Sequence, residues 1–456
     1  MRSSIFLLLT ACWVTPVGAQ LRLSDALARA DAAAIANRAA DAQGDVARAQ
    51  RLVPLRGILP SVRAEAGYVR TTDPIGAFGT ALRQRRVSPA DFAPDRLNYP
   101  DVASNYTGAL VLEVPIVNAD AWMGRTAASR AADAVTAAGQ WTHQSTRADV
   151  VRAYYGTALA DARVRVLEAA TRAAVGHVKQ AQSALTAGFV TASDAMLASV
   201  KAAEFEAELA SARGDASTAR RGLAVLLGYT DGRLLDPSDA LPSAAALRAF
   251  AAVDTTIATA PRADVQASQA GTAAAKADAL RARALYLPRV NSFARYDWND
   301  RARIFANDRN WTVGVMASWS PFSGASEIAE SRATTARAAA AQAMQDGAVA
   351  AAGLDAARAL TDLRVALERL AIAERSVVQA TDAHRIVSRR YDGGLATVVE
   401  LLDASAANTQ TQVALDKARF DVIVALTARR LAIGADPGQL ASLNSATPSR
   451  SSEESY

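Results

Sequence analysis

Two hydrophobic rhythms alternate along this chain, and the alternation occurs twice. Long alanine-rich stretches carry apolar residues at helical spacing. Between them lie short runs in which apolar and polar residues strictly alternate. From Leu21 to about Arg56 the pattern predicts helix, with Ser24 before Asp25-Ala26-Leu27 as the expected N-cap. Leu59-Pro60 then stops the helix and opens a strand, because the residue before proline is pushed to extended geometry. Val62, Ala64, Ala66 and Tyr68 form one face of that strand, and Arg63, Glu65 and Gly67 the other. Its expected partner sets Leu110, Leu112 and Val114 against Ala109, Val111 and Glu113, and ends at Pro115. In the second half Leu287-Pro288 opens a strand with Val290, Ala294, Tyr296 and Trp298 on one side. Its partner shows Trp311, Val313, Val315, Ala317 and Trp319 opposite Thr312, Gly314, Met316 and Ser318, just before Pro321.

Pro115 and Pro321 stand 206 positions apart, and the same offset relates many residues C-terminal to them. It pairs Asp149 and Arg152 with Asp355 and Arg358, and Glu168 with Glu374. It also pairs Gly188, Thr191, Ala198 and Ser199 with Gly394, Thr397, Ala404 and Ser405, and Gly228 with Gly434. No gap is needed between Pro115 and Gly228. A long unit present twice is a structural duplication rather than a short-period solenoid.

After each proline a helix is expected, from about Asp120 to Ala187 and from about Ser326 to Gly393. Near 70 residues at 1.5 Å each makes about 100 Å of helix, a length no compact domain needs. Return helices come next, roughly Thr191 to Leu227 and Thr397 to Ile433. Gly188 and Gly394 suit the left-handed geometry that ends a helix. Thr191 with Asp194, and Thr397 with Glu400, each spell a capping box for the next one. Abundant alanine lets such helices approach closely, which predicts a thin-walled, hollow assembly.

The strands have the weak period-two signature of an outer-membrane barrel. Trp311 and Trp319 share a face, about 26 Å apart along a strand at 3.3 Å per residue. Tilted, that becomes roughly 20 Å of height, near the spacing of two interfacial aromatic girdles. Four strands cannot close, and open edges in lipid strand unpaired backbone groups. Three copies would give twelve strands, and a cyclic trimer is a closed symmetry. The first strand connection is 22 residues longer than the second, and the excess, within Thr71 to Asn105, is rich in Pro, Asp and Arg. It is expected at the cell surface.

The organisation read from these signals has a signal peptide over 1–19 and a first repeat over 20–228, with a β-hairpin at 61–115 and a helical hairpin at 117–228. A loop-rich equatorial linker occupies 229–261. A second repeat covers 262–434, with a β-hairpin at 289–321 and a helical hairpin at 323–434, and a disordered polar tail occupies 435–456. The fold class expected is mainly α with a small β part: trimeric helical tunnel plus a shared barrel.

Composition narrows the function. Arg2, the apolar run Ile5 to Val14, Pro16 and Val17-Gly18-Ala19 make an export signal, with cleavage expected after Ala19. Leu9-Thr10-Ala11 before Cys12 resembles a lipobox, so Cys12 is a candidate lipidation site; ordinary cleavage is the favoured reading. Cys12 is the only cysteine, so no intrachain disulfide is possible. Nothing after residue 20 approaches the roughly 18 apolar residues of a spanning helix. A net charge of +5 with both signs interspersed argues against nucleic acid as a partner. His143, His177 and His384 are expected far apart, with no metal-ligand spacing, and no cofactor motif appears. An enzyme is not expected.

The Leu-Pro before each first strand, the proline after each second strand and the duplicated tips together resemble the TolC-like outer-membrane efflux protein family. The tips are Gly188-Phe189-Val190-Thr191-Ala192-Ser193-Asp194 and Tyr391-Asp392-Gly393-Gly394-Leu395-Ala396-Thr397-Val398-Val399-Glu400, continuing to Asp403. The resemblance implies a homotrimeric duct through outer-membrane lipid and the periplasm. Such a duct docks on a periplasmic adaptor and an inner-membrane pump of the RND, ABC or MFS type. It implies that Gly188, Phe189, Thr191, Gly394, Leu395 and Thr397 meet the adaptor. It also implies that Glu400 and Asp403 line the aperture, and that Tyr391 bonds Asp194 to hold the closed state. Where some members carry an arginine, this chain has Ala396. Two other readings are a periplasmic adaptor, which needs only one helical hairpin, and a structural coiled-coil surface protein, which would not explain four amphipathic strands.

Overall fold

The computed structural model describes residues 21–253, 261–306 and 308–442. The expected signal peptide with Cys12, the end of the linker at 254–260 and the tail from 443 onward lie outside these. The start of the expected disordered tail at 435 is ordered, since Pro437–Ala441 form a 3-10 turn that buries Leu440 in the core. The described residues group into two compact units, each drawing on both sequence repeats.

The helical unit takes in the described parts of 1–41, 139–263 and 350–456. It contains α1 (Leu23–Ala33), α6 (Ala192–Leu226), α7 (Ala244–Val253) and α10 (Val398–Ala432), with most of α5 (Ala119–Thr186) and of α9 (Ser326–Asp392). The 68 and 67 residues of α5 and α9 are uninterrupted, because neither stretch holds a proline. The core is made by Leu23 and Leu27 of α1, Val151, Tyr154 and Tyr155 of α5, Leu223 of α6, Leu247 of α7, Leu370 of α9 and Ile423 and Leu426 of α10. Tyr154 is wholly buried, and its hydroxyl donates within 2.7 Å of the Leu21 carbonyl and 2.8 Å of Asp239 Oδ2. Burial, reinforced by the bond to Asp239, pushes the phenol well above its ordinary pKa, so it stays a donor.

Ser24 is not the cap of α1. The helix starts at Leu23, and Arg22 at the N-cap supplies no side-chain bond. The Leu23 amide instead donates to Asp239 Oδ2 at 3.1 Å, so a carboxylate 216 residues away caps the helix. Leu21 also forms a parallel bridge with Pro237, which ties the linker to the start of the chain. The linker is therefore not purely loop, since α7 lies within it.

The second unit takes in 42–138 and 264–349. It holds α2 (Ile35–Gln50) for most of its length, α8 (Ala263–Ala284), and the sheet formed by β1 (Ser61–Thr71), β2 (Ala103–Val117), β3 (Arg289–Asp300) and β4 (Asp308–Ser318). All four strands pair antiparallel in the order β1-β2-β3-β4, so the two hairpins of the duplication join through β2 and β3. Pro115 does not end its strand as expected. It sits inside β2 where the register to β3 shifts between Pro115 and Val117, a bulge that tolerates a residue without an amide hydrogen.

Register aligns the faces across the sheet. Val62, Leu112, Ala294 and Val313 form one row, and Ala64, Leu110, Tyr296 and Trp311 the next. Trp311, Val313 and Val315 are 73%, 66% and 67% exposed, so among the described residues nothing covers this apolar face. Tyr68 packs tilted against Tyr106, and Trp298 meets Tyr296 and Phe305 edge-to-face, near one edge of it. The opposite face is polar: Arg295 bonds Glu65 at 3.0 Å and Asp297 at 2.7 Å, while Asn291 donates to Glu113 at 2.8 Å. No helix among the described residues is long and apolar enough to cross a membrane.

The 71–105 connection is not simple loop either. It folds into α3 (Pro74–Arg83), a 3-10 turn at Pro89–Phe92 and α4 (Pro94–Asn98). Asp73 caps α3 by accepting the Gly76 amide at 2.6 Å, and Pro74 occupies the first helical position.

Candidate functional site

Both helical hairpins turn with the same local chemistry. At the first tip Gly188 takes φ +79°, and the Phe189 amide reaches back to Ala184 O at 2.9 Å. At the second, Gly394 takes φ +72° and the Leu395 amide bonds Arg390 O at 2.7 Å. Left-handed glycine geometry closes the spent helix in each case. Thr191 then caps α6: the Asp194 amide donates to Thr191 Oγ1 at 3.3 Å, and Asp194 Oδ2 accepts the Thr191 amide at 3.1 Å. Thr397 caps α10 in the same way, with the Glu400 amide at 3.2 Å and Glu400 Oε2 on the Thr397 amide at 2.9 Å. Each carboxylate also lies at a helix N-terminus, where the macrodipole favours negative charge. Thr397→Ala is expected to cost the tip about 1 kcal/mol. Hydrogen exchange should report it as a Glu400 amide several-fold faster than in the parent, with the mid-α10 amides unchanged.

The second tip has one contact the first lacks. Arg390 Nη2 donates to the Leu395 carbonyl at 2.9 Å, whereas the duplicated position in the first tip is Ala184. The sequence offset alone could have singled out this pair.

Beneath the tips the two hairpins share a small core. Ala181 of α5, Ala195 and Ala198 of α6, and Val398 and Leu402 of α10 are buried together, with Val178, Leu197 and Tyr391 packed on them. Phe189 and Leu395, at 85% and 72% exposed, take no part in it. Two large apolar side chains thus stand at the turns with no packing role among the described residues.

The expected aperture residues cluster near the two tips without the bond expected between them. Asp194 is held by Thr191, and among the described residues no hydrogen bond joins it to Tyr391, whose ring packs on the tip core. Glu400 is exposed and accepts the bond from its own cap; Asp403 is exposed one turn further along α10. Lys201 of α6, bonded to Glu204 at 2.8 Å, has its pKa raised first by that bond and also by the charge of Asp403. The two hairpins therefore bring a cation of one beside a carboxylate of the other.

His177 and His384 are not remote from one another, contrary to their separation in sequence. Burial lowers the His384 pKa, and the charge of His177 lowers it further. The two lie on α5 and α9 at 11 and 10 residues before Gly188 and Gly394, so the duplication sets them at matching heights. Among the described residues no cluster of three or more metal-capable side chains forms.

Comparison with known proteins finds one family profile that matches, described as outer membrane efflux protein, over residues 23–229 and 256–435. Solved structures with the same fold include the outer membrane protein VceC from Vibrio cholerae (20% identical, TM-score 0.74, covering 91% of this chain and 96% of that one). The Campylobacter jejuni CmeC outer membrane channel is similar at 14% identity and TM-score 0.75, covering 92% and 88%. The open-state Neisseria gonorrhoeae MtrE outer membrane channel is similar at 18% identity and TM-score 0.71, covering 91% and 89%. No curated protein sequence matches the chain.

Proposed function

Because this chain belongs to the outer membrane efflux protein family, we propose that three copies assemble into a duct serving an adaptor and an inner-membrane pump. The chain itself is an outer-membrane channel component of an efflux system, and the reading as an adaptor is not favoured. The observation that carries the assembly is the sheet. Among the described residues its apolar face is uncovered, and its outer strands β1 and β4 pair with nothing beyond the four strands. A sheet with free edges is not viable in lipid, where every unsatisfied backbone group costs several kcal/mol. Closure with two further copies satisfies both edges, puts the apolar rows on lipid and leaves the Arg295-Glu65-Asp297 network on the inside.

In this reading transport is passive. The tips, with Phe189 and Leu395 exposed between capped helices, suit an apolar groove on the adaptor. Glu400 and Asp403 are then repeated three times around the inner aperture, which would concentrate six carboxylates there and favour cations. Lys201 beside Asp403 moderates that field. Opening requires the second hairpin to move away from the first, which breaks the small core that Tyr391 packs against.

The test is ion selectivity in planar bilayers. Glu400→Gln combined with Asp403→Asn is expected to shift the reversal potential in a salt gradient towards that of a non-selective pore. An unchanged reversal potential in an otherwise conducting trimer removes these residues from the aperture. Purified protein that gives no conductance in either form counts against the duct itself.

A further inference from the structure

The insert between β1 and β2 does not project away from the sheet but lies over one face of it, and that face is the polar one. Asn105 pairs with Val69 across the β1–β2 ladder and Asn299 with Thr107 across β2–β3, which places both amides on the side of Thr107 and Glu65. Asn105 Nδ2 donates to Asn299 Oδ1 at 2.9 Å, and both residues are only 3% exposed. What covers them is the end of α3. Gln84, equally buried, donates through Nε2 to Asn105 Oδ1 at 2.9 Å and to the Ser104 carbonyl at 2.9 Å. Next to it Arg85 reaches β4: Nη2 donates to the Arg309 carbonyl at 3.1 Å, and Nε lies 4.0 Å from Asp308. A polar relay therefore fastens the insert across three successive strands.

The insert has its own internal packing. Phe78 meets Phe92 edge-on at 5.6 Å, and Ala77 is buried. Arg85 holds φ +50°, a left-handed conformation unfavourable for a residue with a side chain, so its contacts to β4 hold a strained backbone in place. Between insert and strand ends remains a cavity of about 620 Å³ whose lining includes Gln84, Arg86, Asp91, Arg96, Asp101 and Arg301. Nothing comparable exists among the described residues of the second repeat, where only a short connection separates Asp300 of β3 from Asp308 of β4. One such element is present per chain.

We propose that residues 72–102 fold into the outer mouth of the barrel and form a size-limiting constriction there, separate from the inner aperture at the tips. The inference rests on the trimeric barrel with its polar face inward. In that barrel an element on the polar face occupies lumen, and three of them narrow it from three sides. The charged lining makes the remaining passage wet, so the constriction excludes by size rather than by dewetting.

Labelling from outside intact cells tests the inference without involving the inner aperture. The reporter is Thr312→Cys, on the polar face of β4 next to the apolar-face Val313. Small and polymer-coupled maleimides are added to cells carrying the reporter in three chains. The first has the insert intact, and the second carries Gln84→Ala with Arg85→Gly. The third has 72–102 replaced by Asn-Gly, a two-residue turn suited to joining Thr71 and Ala103, which are direct cross-strand partners. Glycine at 85 relieves the left-handed backbone while removing the anchor, so the strands are not put at risk. With the insert intact, the polymer reagent is expected to react at least about tenfold more slowly than the small one, as a narrow polar pore requires. In the replaced chain that gap should close to within about twofold, with the anchor variant between the two. Equal rates for both reagents with the insert intact overturn the constriction while leaving the barrel standing. Should the small reagent fail at Thr312→Cys in all three chains, or label Val313→Cys just as fast, the inward polar face is wrong and the proposal falls with it.

Discussion

A Val313→Arg chain is expected to yield no trimer in outer-membrane fractions, while Asn310→Arg on the same strand assembles. Val313 lies on the uncovered apolar face between Trp311 and Trp319, 66% exposed in the single chain. In the proposed barrel it lies between the two girdles on the side of Trp311, where an arginine costs up to about 2–4 kcal/mol. A threefold assembly bears that cost three times, which is of the order of an entire domain's stability. Asn310 is on the other face and pairs directly with Asp297, so an arginine there gains an opposite charge across the ladder. Heat-modifiable migration of the two variants, extracted side by side, gives the comparison. Equal trimer from both would mean that this face does not meet lipid.

The second large effect is expected at Gly228→Ala. Gly228 follows α6 with φ +82°, and a Cβ there would come 2.2 Å from the Ala33 carbonyl oxygen at the end of α1. The obstacle is backbone, which cannot rotate away, so α1 must shift and disturb the core it shares with Tyr154 and Leu223. A cost of roughly 3 kcal/mol or more is expected, the range reserved for special backbone positions and overpacking. Gly188→Ala isolates the conformational part of it. Gly188 has nearly the same φ, +79°, yet nothing lies within 4 Å of its added methyl, so about 1 kcal/mol should be lost there. Thermal melts followed by helical circular dichroism should rank parent, Gly188→Ala and Gly228→Ala in descending order. A Gly228→Ala protein as stable as Gly188→Ala would show that α1 does not press on this turn.

Much of the helical architecture could be read from the chain because its determinants are local. The helix ends at Thr186, Asp392, Leu226 and Ala432 fall within about a residue of expectation, since glycine, threonine and an acid three positions later act on their own turn. Strand cores were legible for the same reason: alternation is a property of consecutive residues. What escaped depends on partners distant in sequence. Asp239 takes the cap role that Ser24 offers in sequence, and nothing near residue 24 announces it. Pairing of β2 with β3, and the bulge that excuses Pro115, arise only when the two repeats meet. The approach of His177 to His384 likewise comes from the packing of two hairpins. The insert is a different case. Asp73-Pro74 is a local helix start, yet the proline and charge of the segment disguise it as loop. Arg390, which steadies the second tip, stands where the first repeat has Ala184, so only a comparison of the two repeats marks it.

The exposed backbone along β1 and β4 also bears on how such a molecule reaches its destination. A newly exported chain carries two adhesive borders and a greasy surface through an aqueous compartment, and any stray strand can dock on them. In the proposed trimer, correct joining needs three chains with every border matched, whereas clumping can begin from any two that touch. Escort factors that shield those borders until insertion would decide the yield, and overproduction without them should fill the cell envelope with insoluble material.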